Sequence, residues 1–313
     1  MARLRSLVRV AVLVGVTTSV VGTEASAQRA RQGLLSLEDA RIFYEVVGSG
    51  EPIVVVHGGP GLDHAYLQPG LDALATRSTL IYYDQRGTGR SVAALDSSAI
   101  NLDAFVGDIE ALREALGYER ITVLTHSFGS YLGLEYAARY PERLRALILM
   151  NPVEPGSRYA AVRETRQAAA RMVEDSADLA LLTAGEGFAA RDPATLSQVY
   201  RVLFRQTLRD RTRISELDLD LANATAKNGP DVAELLGASM GQPDWWDRLG
   251  EIEVPTLILA GRYDPLPLVV SREMAAALPL GRLVVLESGH FPYLEDPDGV
   301  LSAISSFFVD LSR

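Results

Sequence analysis

The segment Thr125-His126-Ser127-Phe128-Gly129 contains the serine whose surroundings point most clearly to catalysis. It follows the apolar run Ile121–Leu124 and opens a helical stretch that extends to about Tyr140. A serine in such a sharp strand-to-helix turn projects its Oγ above the sheet, and the helix amino terminus favours developing negative charge. Thr125 departs from the pattern G-x-S-x-G, and we expect its β-branched side chain to alter the turn slightly. We predict that Ser127 is a nucleophile; the alternative is an ordinary helix N-cap serine.

Two further polar residues follow apolar runs in the second half of the chain. Asp264 comes after Thr256–Leu259, and His290 comes after Leu283–Leu286. A Ser-His-Asp triad on a parallel sheet has this chain order, with each member at the carboxyl end of a strand. We predict that His290 takes the proton of Ser127 as general base and that Asp264 orients the imidazole.

The glycine-rich segment His57-Gly58-Gly59-Pro60-Gly61 follows the apolar run Ile53–Val56. Glycines let a backbone approach a ligand closely, and an acyl-transfer site needs backbone donors for the oxyanion. We predict that the N–H of Gly59 and the N–H of Phe128, the residue after the serine, form an oxyanion hole. The alternative is a tight turn without a binding role.

The elements that position these residues alternate from about residue 41 onward. Short continuous apolar runs are typical of strands buried on both faces, and a periodic stretch such as Leu102, Phe105 and Ile109 is typical of a helix. Strands that alternate with helices predict an α/β fold, a mostly parallel sheet with helices on both faces. Arg41–Val46 alternates apolar and polar residues, which predicts an edge strand. The runs that predict buried strands are Ile53–Val56, Leu80–Tyr83, Ile121–Leu124, Leu147–Met150, Thr256–Leu259 and Leu283–Leu286.

Residues 153–249 break this alternation. They contain no strand-like run and are rich in Ala, Arg, Glu and Leu, with Gly and Pro between the helical stretches. In open α/β sheets the ligand crevice lies at the carboxyl edge of the strands. We therefore predict a helical cap at residues 153–249 over that edge, inserted into a core of residues 28–152 and 250–313.

The start of the chain predicts a secretory signal peptide over residues 1–27. Three arginines precede the apolar run Val10–Val21, and Ala25-Ser26-Ala27 provides the small residues that signal peptidase requires. The alternative is an uncleaved membrane anchor, although the apolar run is short for a span. We expect a secreted or periplasmic bacterial protein without stable membrane association after cleavage.

The composition of the chain argues against several kinds of active site and partner. The 313 residues are 48% hydrophobic and 22% charged, with a net charge of −10 and no cysteine. A chain without cysteine has no disulfide, thiol nucleophile or thiolate metal site. The acidic balance disfavours nucleic acid and anionic lipid, and the glycine-rich segment lacks the G-x-G-x-x-G pattern and the P-loop lysine of nucleotide sites. We expect a small-molecule or short-peptide substrate, no metal and no cofactor.

Four motifs resemble those of the proline iminopeptidases, α/β-hydrolases that remove N-terminal proline from peptides. They are His57–Gly61, Asp84–Ser91, the turn around Ser127 and Gly261–Asp264. The resemblance covers about residues 41–150 and 255–313, and it implies the α/β-hydrolase fold with a helical cap insertion. It also implies cap carboxylates that hold the substrate's α-ammonium, although no glutamate here aligns with those of the family. The candidate substrate-binding residues are Glu154, Glu216, Glu234 and, as a pocket wall, Trp245.

These observations predict a serine hydrolase that works through an acyl-serine intermediate, most specifically in the release of N-terminal proline. The first alternative is a carboxylesterase or lactonase on the same core. Paired cap carboxylates near Ser127 would distinguish an aminopeptidase from an esterase. A ligand-binding protein of the same fold with little turnover is a further alternative.

Overall fold

The structure is a computed structural model that describes residues 31–241 and 244–313. The segment 1–27, for which we predict a signal peptide, lies outside the described residues. In the described part of the chain, no helix is both long enough and apolar enough to cross a membrane.

A nine-stranded sheet lies at the centre of the described residues. Its spatial order is β1-β2-β4-β3-β6-β7-β8-β9, and β5 pairs with β2. The pairs β1–β2, β2–β4 and β2–β5 are antiparallel, whereas all pairs from β4 to β9 are parallel. This confirms the predicted mostly parallel sheet. The strands are β1 (Arg31–Ser36), β2 (Ala40–Gly48), β3 (Glu51–Val56), β4 (Ser78–Tyr83), β5 (Val92–Ala93), β6 (Ile121–His126), β7 (Leu144–Met150), β8 (Thr256–Gly261) and β9 (Gly281–Leu286).

The prediction of an edge strand at Arg41–Val46 is wrong. This segment belongs to β2, which lies between β1 and β4, so that β1 forms one edge of the sheet. Leu35 of β1 stands opposite Ile42, which is fully buried. An alternating pattern reports which face of a strand is buried, not how many neighbouring strands it pairs with, and this caused the error. The prediction of a buried strand at Leu283–Leu286 is also wrong, because this run belongs to β9, which forms the other edge and is mostly half-buried.

Helices cover both faces of the sheet. As a result, successive side chains of the central strand β3 pack into two different hydrophobic cores. Ile53 and Val55 pack into one hydrophobic cluster, and Val54 and Val56 pack into the other. The α-helices are α1 (Gln68–Leu71), α2 (Leu102–Ala115), α3 (Gly129–Arg139), α4 (Ala160–Ala170), α5 (Val173–Ala184), α6 (Glu186–Ala189), α7 (Pro193–Arg205), α8 (Asn223–Met240), α9 (Leu268–Ala277), α10 (Pro292–Glu295) and α11 (Pro297–Asp310). α2, α3 and α9 contribute to the Val54 cluster, and α11 contributes to the Ile53 cluster.

The segment 153–249 holds helices α4 to α8 and, among its described residues, no strand. It contacts three loops that each follow a strand. The Thr225 hydroxyl donates to Asp63 after β3 at 2.6 Å, and the Asn228 amide donates to the carbonyl of Gly87 after β4 at 3.0 Å. The carbonyl of Thr207 accepts the His290 N–H after β9 at 2.9 Å. The helical segment therefore lies over the carboxyl edge of the sheet.

Candidate active site

Ser127 lies in the sharp turn between β6 and α3, with its backbone in the left-handed region at a φ of 53°. A serine in this conformation costs on the order of 1–3 kcal/mol and persists only where the surroundings enforce it. The Ser127 N–H donates to the Met150 carbonyl of β7 at 3.0 Å, and the Ser127 carbonyl accepts from the Ser130 N–H at 3.0 Å. The turn is thereby fixed at both ends, and the serine side chain stays half-buried at the sheet edge.

Two glycines make room for this turn. A Cβ on Gly129 would lie 2.8 Å from the carbonyl oxygens of Val56 and His57. A Cβ on Gly58 would lie 3.1 Å from the Ser127 Cβ. Side chains at either position would push the two segments apart. The glycine-rich loop after β3 therefore lies directly against the serine turn.

Thr125, the departure from the glycine pattern, is fully buried beneath α3. Its Cγ2 methyl faces Gly133, on which a Cβ would come within 2.5 Å of that methyl. The helix makes room for the extra methyl group at Gly133, and Ser127 keeps its left-handed backbone.

His290 and Asp264 are buried and joined by a hydrogen bond of 2.7 Å between Nδ1 and Oδ2. Because Nδ1 donates its proton to the carboxylate, Nε2 is the ring nitrogen left to accept one. The second carboxylate oxygen, Oδ1, accepts the Leu266 N–H at 2.9 Å, and the Asn151 amide donates to Oδ2. Asn151 also donates to the Gly289 carbonyl at 3.1 Å, which joins the histidine loop to the same cluster.

The loop after β3 supplies backbone donors beside Ser127. Gly59 has a φ of 128°, which favours glycine, and the N–H of the preceding Gly58 is already donated to the Tyr66 hydroxyl at 2.7 Å. The N–H groups of Gly59 and Phe128 donate to no acceptor within the described residues. Both amides therefore keep an unused donor, although neither Gly59 nor Phe128 lines the cavity of about 500 Å³ that Ser127 lines.

A cavity of about 500 Å³ opens at this edge, and Ser127, Asp264 and His290 all line it. A larger cavity, of about 800 Å³, opens at the opposite edge, where β3 and β4 begin at Glu51 and Ser78. No histidine lines that larger cavity, so the smaller one is the candidate active site. Among residues 31–241 and 244–313, no group of three or more His, Asp or Glu side chains could hold a metal ion.

Residues 51–297 match the family described as alpha/beta hydrolase fold. The chain belongs to this family. It is therefore an α/β-fold hydrolase, and the predicted fold class is confirmed.

This hydrolase is similar to proteins named as peptidases and to one named as an esterase. A proline iminopeptidase of Saccharolobus solfataricus is 30% identical over 278 residues, which cover 85% of this chain and 87% of that protein. The crystal structure of a proline iminopeptidase from Mycobacterium smegmatis has a TM-score of 0.69 at 25% identity, covering 90% of this chain and 98% of that one. An esterase from Thermogutta terrifontis has the same fold, with a TM-score of 0.67 at 24% identity and coverage of 90% and 100%.

Of the four candidate substrate-binding residues in this hydrolase, only Glu154 lines the cavity. Glu216 pairs with Arg213 on the surface at 2.7 Å, and Glu234 is exposed on α8. Trp245 is buried in the core, where its ring meets that of Tyr131 edge-on at 5.9 Å. Tyr131 does line the cavity, so Trp245 supports the pocket wall from behind.

The Glu154 carboxylate is buried and already has two partners. One oxygen accepts the Tyr159 N–H at 2.5 Å, and the other lies 3.4 Å from the Arg163 guanidinium. Glu154 and Asp264 are the two carboxylates that line the cavity. The cap thus brings one glutamate, rather than a pair, to the Ser127 side.

Several residues that line the cavity carry no signal in the sequence, and three of them belong to α4. Arg163 and Gln167 line the cavity, and their spacing of four residues places them on one face of α4. Arg171 also lines the cavity, directly after the helix ends at Ala170. Arg166 donates to the Asp264 carbonyl at 2.8 Å. No sequence signal shows which face of α4 turns inward, because none of its residues is fully buried. Asn151 could have been found as a polar residue at the carboxyl end of a strand.

Proposed function

We propose that this α/β-fold hydrolase cleaves an amide or ester bond through an acyl-serine intermediate, and that its most specific activity is release of N-terminal proline. The observation that supports the mechanism best is the 2.7 Å hydrogen bond from His290 Nδ1 to Asp264 Oδ2, in the cavity that Ser127 also lines. That bond leaves Nε2 as the basic nitrogen beside a serine in a strained turn.

In the proposed reaction, the Ser127 Oγ attacks the substrate carbonyl carbon while His290 Nε2 takes the hydroxyl proton. The carbonyl oxygen gains negative charge, which the N–H groups of Gly59 and Phe128 stabilise. His290 then gives the proton to the leaving amine or alcohol, and the bond to the leaving group breaks. A water molecule, deprotonated by His290, attacks the acyl-serine, and collapse of the intermediate returns the proton to Ser127.

Glu154 is the proposed site for the α-ammonium of an N-terminal proline. It is the one carboxylate lining the cavity that does not already hold His290, and a carboxylate accepts more hydrogen bonds than its two present partners supply. The relatives named proline iminopeptidase support the proposed substrate, a peptide with an N-terminal proline, and do not bear on the choice of Glu154.

A second candidate, a carboxylesterase or lactonase, is favoured by a different observation. The Arg163 guanidinium lies near Glu154 and partly neutralises it, and no second cap carboxylate lines the cavity. A neutral ester would need no ammonium site, and would use the same serine, histidine and oxyanion donors.

The test compares three substrates with the purified protein: a proline arylamide, the same arylamide with a blocked proline nitrogen, and a short-chain nitrophenyl ester. Ser127→Ala serves as the control for each. We expect efficient cleavage of the free proline arylamide, little cleavage of the blocked one and loss of turnover in Ser127→Ala. If only the ester is cleaved, the proposed activity becomes that of an esterase and not that of an aminopeptidase. Substantial activity of a folded Ser127→Ala variant would overturn the acyl-serine mechanism.

A further inference from the structure

A buried chain of hydrogen bonds runs beneath the candidate active site, through two side chains that do not line the cavity. The Gly58 N–H donates to the Tyr66 hydroxyl at 2.7 Å, and that hydroxyl lies 2.9 Å from Nδ1 of His126. Nε2 of His126 lies 2.8 Å from the carbonyl oxygen of His290. Tyr66 is 3% exposed and His126 is 1% exposed, so solvent does not compete for these bonds.

The direction of each bond in this chain is fixed by chemistry. A backbone N–H can only donate, so the Tyr66 oxygen accepts from Gly58 and gives its own proton to Nδ1 of His126. His126 must then carry its proton on Nε2, because the His290 carbonyl can only accept. Burial lowers the pKa of His126 well below its usual range, which keeps the ring in this neutral form.

The Gly58 end of the chain lies one peptide unit away from a candidate oxyanion donor, the N–H of Gly59. The Gly58 carbonyl accepts from Nδ1 of His57 at 2.8 Å, and Nε2 of His57 accepts the Gln85 N–H at 3.1 Å. Both polar groups of Gly58 are therefore held. Because the peptide between Gly58 and Gly59 is planar, the Gly59 N–H can turn only together with the Gly58 carbonyl.

The His290 end of the chain controls the candidate base. The His290 N–H is held by the Thr207 carbonyl, its ring by Asp264, and its own carbonyl by His126. His126 is also the residue directly before Ser127. The same side chain thus adjoins the serine turn and supports the histidine.

We infer that Tyr66 and His126 are positioning residues. Their chain of hydrogen bonds, here called the Tyr66–His126 bridge, fixes the distance between the Gly59 N–H, the candidate oxyanion donor, and His290, the candidate base. Neither residue touches substrate. This inference rests on the proposed acyl-serine mechanism. Displacement of such catalytic groups by about 1 Å lowers turnover about 100-fold, while the contacts that bind substrate elsewhere in the cavity remain.

The test uses Tyr66→Phe, which removes the hydroxyl and leaves the ring in place. The matched control is Tyr293→Phe, because Tyr293 is also buried, packs against His126 and donates its hydroxyl to the Tyr66 carbonyl at 3.0 Å. We expect kcat to fall about 10- to 100-fold in Tyr66→Phe, with KM within about threefold of wild type. Affinity for a boronic acid that mimics the tetrahedral intermediate should fall by the same factor as kcat/KM. The control should stay within about threefold of wild type in kcat.

Two substitutions of His126 keep the proposal testable if Tyr66→Phe does not fold. His126→Gln retains an amide donor for the His290 carbonyl, whereas His126→Leu does not, so the Gln variant should keep at least about tenfold more kcat. In the double variant of Tyr66→Phe and His126→Leu, the kcat loss should not exceed that of the worse single variant.

Several outcomes would overturn the bridge. They are wild-type kcat in Tyr66→Phe, equal losses in Tyr66→Phe and Tyr293→Phe, equal activity of the two His126 variants, or losses that multiply in the double variant. Ser127→Ala separates this failure from failure of the proposed function. If Ser127→Ala is inactive while Tyr66→Phe is normal, only the bridge is wrong; if Ser127→Ala turns over, the acyl-serine mechanism is wrong.

Discussion

The methyl group of Thr125 occupies the space that a side chain at position 133 would fill: a Cβ on Gly133 would lie 2.5 Å from the Thr125 Cγ2. Thr125 is the second-last residue of β6, just before the serine turn, and Gly133 lies one turn into α3. The β-branched residue at position 125 and the glycine at position 133 are therefore one steric unit that sets the distance between the strand and the helix behind Ser127.

Gly133→Ala is expected to lower the free energy of unfolding by about 1–3 kcal/mol, because the new methyl overpacks against Thr125. Thr125→Ser removes that methyl, so the double variant should recover the loss. Urea unfolding of the two single variants and the double variant measures this coupling. Gly107→Ala is the matched control, since a Cβ there meets nothing within 4 Å in α2 and should stabilise by about 0.5–1 kcal/mol. Equal effects at positions 133 and 107 would contradict the steric unit.

Asn151→Asp should move the acidic limb of the kcat profile upward by about one pH unit or more. Asn151 donates to the same Asp264 oxygen that holds His290, so a carboxylate at position 151 would place a second negative charge beside Asp264 and His290 and make loss of a proton from this cluster harder. Asn151→Gly removes the donor without adding charge and suits the left-handed backbone at this position. A profile of kcat between pH 5 and 9 should shift less in Asn151→Gly than in Asn151→Asp. If the two profiles coincide, charge at this position does not matter.

Glu154→Gln is expected to raise KM for the proline arylamide about tenfold or more, because the α-ammonium loses a charged hydrogen-bond acceptor. Cleavage of the nitrophenyl ester should change less than threefold, which controls for any movement of Arg163. Glu216→Gln is the matched control, since Glu216 is paired with Arg213 outside the cavity. Unchanged KM for the arylamide in Glu154→Gln would remove Glu154 as the ammonium site.

Asp175→Asn should remove part of the acid sensitivity of the fold. Burial by itself would raise the pKa of Asp175, but hydrogen bonds from Arg211, the Met172 N–H and Arg205 lower it to about 2. A carboxylate with a lowered folded-state pKa stabilises the fold above its unfolded pKa of about 4, and this contribution is lost as the pH falls towards 2. Between pH 5 and 2, wild type should lose about 2 kcal/mol more free energy of unfolding than Asp175→Asn.

Chemical unfolding at a series of pH values measures this difference. Asp220→Asn is the control, because Asp220 is 86% exposed in its pair with Arg201 and such pairs contribute little. Parallel pH curves for wild type and Asp175→Asn would show that Asp175 is not linked to folding.

Much of the sheet and the site could be predicted from local patterns. The apolar runs around Val54, Leu124 and Ile148 are buried strands, and the carboxyl ends of parallel strands lie at one edge whatever the loops do. Ser127 and Asp264 follow such strands, and His290 follows the half-buried edge strand β9, so strand ends and chain order were sufficient to bring the three residues to one cavity. The antiparallel edge strand β1 was not predicted, because alternation does not count neighbouring strands.

The cap is where prediction from sequence was least informative. Glu154, Glu216 and Glu234 were equal candidates for binding the substrate, yet only Glu154 lines the cavity. The choice depends on how the cap helices dock. The backbones of Gly61, in the glycine-rich loop after β3, and Gly229, in α8, lie in close contact. Thr225 also donates to Asp63, which is 162 residues away in the chain.

The sequence by itself therefore determined which polar residues follow strands, and in which order along the chain: a serine in a sharp turn, then an acid, then a histidine, each at the carboxyl end of a strand. This was possible because periodicity and turn chemistry act over a few residues. Only the tertiary structure decided the partners of those groups, such as Asn151 on Asp264, Gly133 against Thr125 and the Tyr66–His126 bridge. Such contacts join residues far apart in the chain, and their geometry exists only after the whole core has packed.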